Sequence, residues 1–288
     1  MTYITVRTHK CNQICIMEMA GYIASLFIGL SLGLIGGGGS ILTMPVLVYL
    51  FGISPVLSTS YSLFVVGSTS LVGAFNNYRK GFVQIKTSLL FGITSITTVF
   101  LTRKFLIPAI PKDFGKIGNF EISQAIVTMV LFAILMVIAA TAMIKSKTIV
   151  ADETTPKHKK INFFKLSVYG IAIGLATGLL GAGGGFLLIP TLVLLVKLPM
   201  KEAVGTSLLI IALNSLIGFT GDLGHFSIDW FFLFKVTCIA IAGIFIGDFI
   251  SKKIPGNKLK KGFGWFVLIM GVYIIIKELF FPMQKGGY

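Results

Sequence analysis

The sequence predicts an all-α, polytopic membrane protein built from two related halves. Its composition, its apolar runs and an internal repeat support this prediction. Hydrophobic residues make up 55% of the 288 residues, charged residues make up only 12%, and the mean hydropathy is +0.92. Soluble proteins carry about 25% charged residues. With half that share the chain cannot cover a compact surface with charge, so its surroundings are mostly lipid.

Long apolar runs are spread along the whole chain. A membrane helix needs roughly 20 mainly apolar residues, and several runs fit one helix each. The first and fifth runs are too long for one plain helix. The runs lie at 21–51, 56–74, 87–110, 122–144, 166–196, 203–220, 228–250 and 263–282.

The net charge of +15 sits in short loops between these runs. Loop lysines and arginines orient membrane proteins and lie beside anionic lipid, so we expect no nucleic-acid partner. The three cysteines, Cys11, Cys15 and Cys238, are odd in number and predict no disulfide framework. Cys11 and Cys15 form at most half of a metal site, so no metal or other cofactor is expected.

The internal repeat relates residues 29–45 to residues 174–190 at a constant offset of 145. Nine of the 17 positions are identical, and these include five glycines and a proline. Thr59-Ser60 before an apolar run also resembles Thr206-Ser207, with a two-residue difference in spacing. A duplicated membrane sequence is typical of a pseudo-symmetric transporter or channel.

The repeat divides the chain into four segments. Residues 1–18 are predicted to be an N-terminal extension that is disordered or precedes the true start. Residues 19–144 form the first membrane repeat, 145–165 a basic cytoplasmic linker, and 166–288 the second membrane repeat.

A glycine-rich first segment ending in proline, followed by a Thr-Ser helix start and repeated after a basic loop, resembles the TauE/SafE family. The resemblance covers nearly the whole chain beyond residue 20. It implies a multi-pass permease of the cytoplasmic membrane for small anions, often sulfur-containing ones such as sulfite or sulfonates. The family's members differ in substrate, so the resemblance indicates an anion transporter more firmly than a sulfite transporter.

The clustered glycines predict a break in the first helix of each half. Glycine disfavours a helix by about 1 kcal/mol relative to alanine, and broken backbone inside a membrane must face protein or a water-filled cavity. The helix ends freed at such a break suit an anion. We expect Ser40 to cap the second half-helix, and Thr59-Ser60 and Thr206-Ser207 to act at the next helix starts.

Close packing is the alternative role for these glycines, and we assign Gly29, Gly33, Gly174 and Gly178 mainly to it. The predicted substrate-binding set is Gly36, Gly37, Gly38, Gly39, Ser40, Thr59, Ser60, Gly181, Gly183, Gly184, Gly185, Thr206, Ser207 and Asn214.

Two topologies are open. If each glycine-broken segment crosses once, there are eight crossings, and lysine and arginine divide 13 to 11 between the two sides. If each segment is a re-entrant hairpin, the halves are inverted repeats and the division is 16 to eight. The positive-inside rule favours the inverted form, with the 145–165 loop in the cytoplasm and Arg103 on the outer side.

Few polar residues interrupt the apolar runs. Asp222 and His225 are candidates for proton coupling, because histidine titrates near neutral pH. The alternative is an exposed loop whose Asp222 and Asp229 cap helices. Asn214 needs a partner inside its run, either substrate or a neighbouring helix. Asp248 is expected at an interface, paired with a lysine.

The predicted function is secondary transport of a small anion at a site between the two glycine-broken helices. A passive anion channel is the alternative, as is a membrane scaffold or sensor that binds a small anion. No HExxH or ATP-binding motif is present in the sequence, so no enzyme activity is expected. The sequence leaves the oligomeric state open.

Overall fold

The protein is described here from a computed structural model. The structure describes residues 2–37, 39–110, 113–117, 120–145, 163–181, 184–196, 198–225, 227–251 and 256–280.

The two halves contain corresponding helices in the same order. The elements of the first half are α1 (Thr2–Ile35), α2 (Ser40–Tyr49), α3 (Pro55–Arg79), α4 (Ile85–Leu101), a π-helical turn (Thr102–Leu106), α5 (Ile107–Ala109), β1 (Asp113–Ile117), β2 (Phe120–Ser123) and α6 (Gln124–Lys145). The elements of the second half are α7 (Phe163–Leu180), α8 (Gly185–Thr191), a second π-helical turn (Leu192–Val196), α9 (Met200–Asp222), α10 (Trp230–Ser251) and α11 (Gly256–Phe280).

The helical prediction is confirmed, with one small addition. The strands β1 and β2 pair antiparallel as a hairpin in the connection between α5 and α6. Residues 2–17 of the predicted N-terminal extension are helical and belong to α1. Most of the predicted linker, residues 146–162, lies outside the described residues, and the four segment boundaries stay predictions.

The helix boundaries follow local sequence signals. Pro55 opens α3, where its missing N–H group is no loss. Gly81, with φ +76°, follows the end of the same helix. There the backbone N–H of Phe82 donates to the carbonyl of Asn77 at 3.0 Å. This is the glycine-terminated helix end that satisfies the last carbonyls.

Among the described residues, five helical segments are long and apolar enough to cross a membrane. These are Glu18–Ile35, Pro55–Arg79, Ile85–Ala109, Lys201–Asp222 and Trp230–Ser251. Large apolar side chains such as Phe75, Ile93 and Phe231 are exposed on the outside of the helix bundle. An apolar outer surface fits a lipid environment, so the protein is a multi-pass membrane protein.

Packing between the halves is reciprocal. Helix α1 packs on α10, and its counterpart α7 packs on α4, the counterpart of α10. Helices α3 and α9 pack on each other, as do α6 and α11. Gly29 approaches the backbone of Ala240, and Gly174 approaches the backbone of Ser95. Each contact becomes the other when 145 is added to its first-half residue and subtracted from its second-half residue.

These close approaches confirm the packing role of the first glycine pairs. A Cβ at Gly33 would meet the backbone of Ile244, and one at Gly178 would lie 2.7 Å from Cβ of Thr102. Small residues let membrane helices approach in this way without any ligand.

The central helices α3 and α9 run antiparallel. Gly67 near the middle of α3 lies against Leu216, and Gly73 lies one to two turns further on against Leu208. Higher numbers in α3 therefore face lower numbers in α9. Because α3 and α9 correspond in the two halves, their antiparallel packing is a relation that the predicted inverted repeat requires, and the inverted repeat itself stays a prediction. The orientation of the halves in a membrane, and the re-entrant form of their first segments, stay predictions.

An aromatic cluster closes one end of the α3–α9 pair. The ring of Trp230 meets those of Phe64 and Phe219 edge-on, at centroid distances of 6.1 and 6.0 Å. Edge-to-face pairs of this kind stabilise beyond the apolar area that they bury. The cluster lies beside Asp222, because Phe219 is one helical turn before it on α9.

Candidate functional site

Two glycine segments, one between α1 and α2 and the other between α7 and α8, interrupt the helices and meet in the protein interior. Helix α1 ends before Gly36 and α7 ends before Gly181, while α2 and α8 begin at Ser40 and Gly185. A Cβ at Gly37 would overlap the carbonyl of Gly185, and one at Gly185 would lie 2.6 Å from the carbonyl oxygen of Gly37. Only glycine fits both positions of this backbone-to-backbone contact.

Each glycine segment also contacts the first turns of the central helix of the other half. A Cβ at Gly36 would lie 2.6 Å from Cγ1 of Val204 on α9, and one at Gly181 would lie 2.6 Å from Cα of Thr59 on α3. Both glycines have positive φ, +83° and +66°, which L side chains avoid. The two contacts are again related by the offset of 145.

The predicted equivalence of Thr59-Ser60 with Thr206-Ser207 is therefore wrong. Thr59 corresponds in space to Val204, and Ser60 corresponds to Gly205. The helix starts agree, since Pro55 and Met200 are also 145 residues apart. The Thr-Ser pairs lie inside α3 and α9 rather than at their starts.

The hydroxyl groups in these pairs accordingly bind within their own helices or across to a neighbour, and none of them caps a helix. Thr59 donates to the carbonyl of Val56 at 2.7 Å, and Ser207 donates to that of Val204 at 2.9 Å. Thr206 accepts a hydrogen bond from the backbone N–H of Gln84 at 3.0 Å.

The capping role predicted for Ser40 is also wrong. Ser40 is the first residue of α2, and the N-cap residue of this helix is Gly39, which has no side chain. The Ser40 hydroxyl instead donates to the carbonyl of Gly37 at 2.8 Å. This bond ties the glycine segment back onto the start of α2.

The more deeply buried of two ion pairs in the described residues lies where α3, α9 and the end of α4 meet. Nη1 of Arg103 donates to Oδ2 of Asp222 at 3.1 Å, and both side chains are buried, with 0% and 2% exposure. The same Nη1 donates to Oγ1 of Thr59 at 2.9 Å. Ser60 donates its hydroxyl to the same oxygen of Asp222. Asp222 therefore links three helical segments.

The prediction that Arg103 lies in a loop is wrong, whereas its position on the outer side of the membrane stays a prediction. The helix that begins at Ile85 continues through the π-helical turn Thr102–Leu106, so Arg103 remains inside the bundle. The exposed-loop alternative for Asp222 is wrong as well, since Asp222 is the buried last residue of α9. Asp229 does serve as predicted, accepting a hydrogen bond from the backbone N–H of Phe232 at 3.0 Å.

A second ion pair occupies the opposite end of the α3–α9 pair. Nζ of Lys80 contacts both carboxylate oxygens of Asp248, at 2.8 and 2.6 Å, and Asn76 donates to the same carboxylate at 3.0 Å. The two charged side chains are 28% and 24% exposed. The expected pairing of Asp248 with a lysine is confirmed.

The interior between these ends is rich in hydroxyl and amide groups. Nδ2 of Asn214 donates to Oγ of Ser95 at 2.6 Å, so the predicted interhelical hydrogen bond is present. Its Oδ1 has no hydrogen-bond partner within the described ranges. The same is true of a set of buried hydroxyl groups, those of Ser31, Thr43, Ser62, Ser70, Thr177 and Ser215. These groups give a membrane-buried interior that can hydrogen-bond a polar solute.

The remaining predicted residues are spread around this interior. Gly39 and Gly184 are buried beside the contact of the two glycine segments, whereas Gly38 and Gly183 lie outside the described residues. His225 is exposed, and its backbone N–H donates to the carbonyl of Asp222 at 3.1 Å. The structure thus brings Gly181 next to Thr59, which shares Arg103 with Asp222, and leaves His225 at the surface.

Comparison with known proteins identifies the kind of protein to which this architecture belongs. The family model described as sulfite exporter TauE/SafE matches residues 22–274. No solved structure matches the chain.

Three relatives illustrate the breadth of the family. A probable membrane transporter protein of Xylella fastidiosa is 27% identical over 86% of this chain and 91% of its own length. The probable membrane transporter protein YdhB of Bacillus subtilis is 26% identical over 88% of this chain and 98% of its own. A probable membrane transporter protein of Methanocaldococcus jannaschii is 27% identical over 88% and 94%. With a match that spans most of its length, this chain belongs to the TauE/SafE family of membrane transporters.

Proposed function

We propose that this transporter moves a small sulfur-containing anion, such as sulfite or a sulfonate, across the cytoplasmic membrane by secondary transport. The site lies where the two glycine segments meet, between the halves of the protein. Substrate or proton gradients drive the movement, with Asp222 and His225 as candidates for proton coupling.

The observation that supports this most directly is the contact of Gly37 with Gly185. It places both helix interruptions against each other inside the bundle, where the backbone is shielded from lipid. Backbone freed from a helix inside a membrane is tolerated at a buried or water-lined site, and transporters of this plan bind solutes at such interruptions. The N-terminal end of α2 adds the partial positive charge that suits an anion.

Radiolabelled sulfite flux into proteoliposomes tests the proposal. We expect saturable uptake by the wild-type protein that follows an imposed gradient. Gly37→Ala should reduce the initial rate roughly 5- to 150-fold, because the added methyl group must displace the Gly185 backbone, and shifts in packed cores cost about 1–3 kcal/mol.

A matched control is Gly92→Ala on α4, where the nearest atom to the new Cβ is a flexible Ile96 methyl at 3.6 Å. This variant should keep wild-type flux. Normal flux in Gly37→Ala would show that the substrate does not bind where the two glycine segments meet. A voltage-driven current that does not saturate with substrate would show that the protein is an anion channel and not a secondary transporter.

A further inference from the structure

Arg103 uses only part of its hydrogen-bonding capacity. Its Nη1 atom makes both of the contacts described above, to Thr59 and Asp222. Its Nε and Nη2 atoms are buried and have no hydrogen-bond partner in the part of the chain that the structure describes. These two atoms form one edge of the guanidinium group, and their N–H groups point in parallel.

That edge is an unusual feature for a purely structural ion pair. A buried arginine that serves stability commonly engages a carboxylate with two parallel hydrogen bonds. Here Asp222 is bound through Oδ2 alone, and Ser60 shares that oxygen. Buried donors without partners cost free energy, and ionisable groups inside membrane proteins commonly serve the transported solute.

Arg103 also lies next to the second glycine segment. Thr59, which accepts a hydrogen bond from Arg103, contacts Gly181. Thr102, the residue before Arg103, contacts Gly178 on the helix that leads into the same segment. The guanidinium group is therefore held by the same residues that pack around the proposed transport site.

We propose that Arg103 is an anion-binding residue whose Nε–Nη2 edge takes two oxygen atoms of a sulfite, sulfonate or carboxylate group. Asp222 is the internal counter-ion that holds Arg103 when no anion is bound. This assignment rests on the proposed function, because the anion is the transported substrate. The planar edge matches an oxyanion that offers two acceptors, so oxyanions bind better than chloride of the same charge.

The repeat places no second guanidinium group at the position equivalent to Arg103. The offset of 145 places Asp248 at the position of Arg103 and Asn77 at the position of Asp222. The equivalent end of the molecule therefore carries a carboxylate where this end carries a guanidinium group. We therefore expect an anion to bind at the Nε–Nη2 edge of Arg103 and not at the equivalent position in the second half.

Isothermal titration of the purified full-length protein in detergent with sulfite tests the assignment. The decisive variant is Arg103→Lys, which keeps the positive charge and removes the Nε–Nη2 edge. Its dissociation constant should rise roughly 10- to 100-fold, the range for losing hydrogen bonds to a charged group. The matched control, Lys80→Arg, changes the cation at the opposite end and should stay within about twofold of the wild-type value.

A second variant covers the case in which Arg103→Lys does not fold. The double substitution Arg103→Met with Asp222→Leu removes both buried charges together, which buried ion pairs tolerate far better than loss of one partner. Sulfite binding should be lost in it. Retained affinity there overturns the assignment.

The other outcomes separate the two proposals. If the wild-type protein binds none of sulfite, sulfate, thiosulfate and sulfoacetate, both proposals are overturned. If it binds sulfite and Arg103→Lys keeps its affinity, only the role of Arg103 is overturned and the proposed function stands. An equal loss in Arg103→Lys and Lys80→Arg would show a general effect of cation replacement and would also overturn that role.

Discussion

The two ends of the α3–α9 pair occupy corresponding places in the two halves, and each carries an ion pair. The two pairs differ in their residues and in their burial. At one end Arg103, on the segment that follows α4, meets Asp222 in complete burial. At the other end Asp248, in the equivalent place on α10, meets Lys80 at about one-quarter exposure. Sixteen residues of α3 separate Ser60 from Asn76, about 24 Å at 1.5 Å per residue.

This difference shows that the duplicated scaffold constrains backbone packing more strictly than charge. The offset of 145 is kept in glycine contacts throughout the bundle, including Gly73 against Leu208 and Gly218 against Leu63. Arg103 and Asp248 occupy equivalent positions but carry opposite charges, and the two ion pairs differ in burial. Desolvation makes the buried end sensitive to the loss of one charged partner, whereas water screens the Lys80–Asp248 pair, which is about one-quarter exposed.

The largest expected effect is the loss of one partner at the buried end. Asp222→Ala leaves the Arg103 charge buried without its counter-ion, which costs about 3–5 kcal/mol. Asp248→Ala at the other end should cost about 0–1 kcal/mol because Lys80 can reach solvent. Unfolding by SDS titration in mixed micelles measures both values. Equal losses would show that burial does not distinguish the two ends.

An intermediate effect should separate the corresponding glycines Gly218 and Gly73. A Cβ at Gly218 would lie 2.6 Å from Cγ1 of Val99, and one at Gly73 would lie 2.5 Å from Cδ1 of Ile244. Valine is stiff about χ1, whereas the terminal methyl of isoleucine can turn away.

We therefore expect Gly218→Ala to lose about 1–3 kcal/mol. Gly73→Ala should change little, since about 1 kcal/mol of helix propensity offsets a small repacking cost. Thermal melting of both variants in the same detergent compares them, and a reversed order would contradict the side-chain explanation.

The smallest expected effect is removal of a whole ion pair. Arg103→Met with Asp222→Leu should leave the free energy of unfolding within about 1 kcal/mol of the wild-type value or raise it, since apolar replacement of buried pairs is often neutral. Lys80→Met with Asp248→Leu serves as the matched change at the other end. A loss as large as that of Asp222→Ala would mean that the buried pair itself stabilises the fold.

Much of the fold was predictable because a membrane interior imposes simple rules. Apolar runs gave the helices, and clustered glycines marked the places where α1 and α7 end. The hairpin of β1 and β2 was missed because its strands are only five and four residues long and the end of β2 falls inside the apolar run 122–144. The Thr-Ser similarity led to a wrong alignment, because Thr59-Ser60 and Thr206-Ser207 are 147 residues apart whereas the glycine repeat has an offset of 145.

The candidate site was predictable only in part. The number of clustered glycines signalled their close approach, but Arg103 adjoins Lys104 within the apolar run 87–110, and two adjacent basic residues are typical of a loop. Its partner Asp222 is 119 residues away, so only the tertiary structure shows the burial. Extending the offset of 145 past Pro45 would have aligned Arg103 with Asp248 and drawn attention to both.

The aromatic cluster beside Asp222 contains Trp230, whose fluorescence can report on this end of the bundle. The chain has two tryptophans: Trp230 contacts Phe64 and Phe219 and is 45% exposed, and Trp265 is 57% exposed. A Trp265→Phe protein would fluoresce from Trp230 alone. Its emission wavelength would then register whether that tip of the bundle loosens or tightens as solutes arrive.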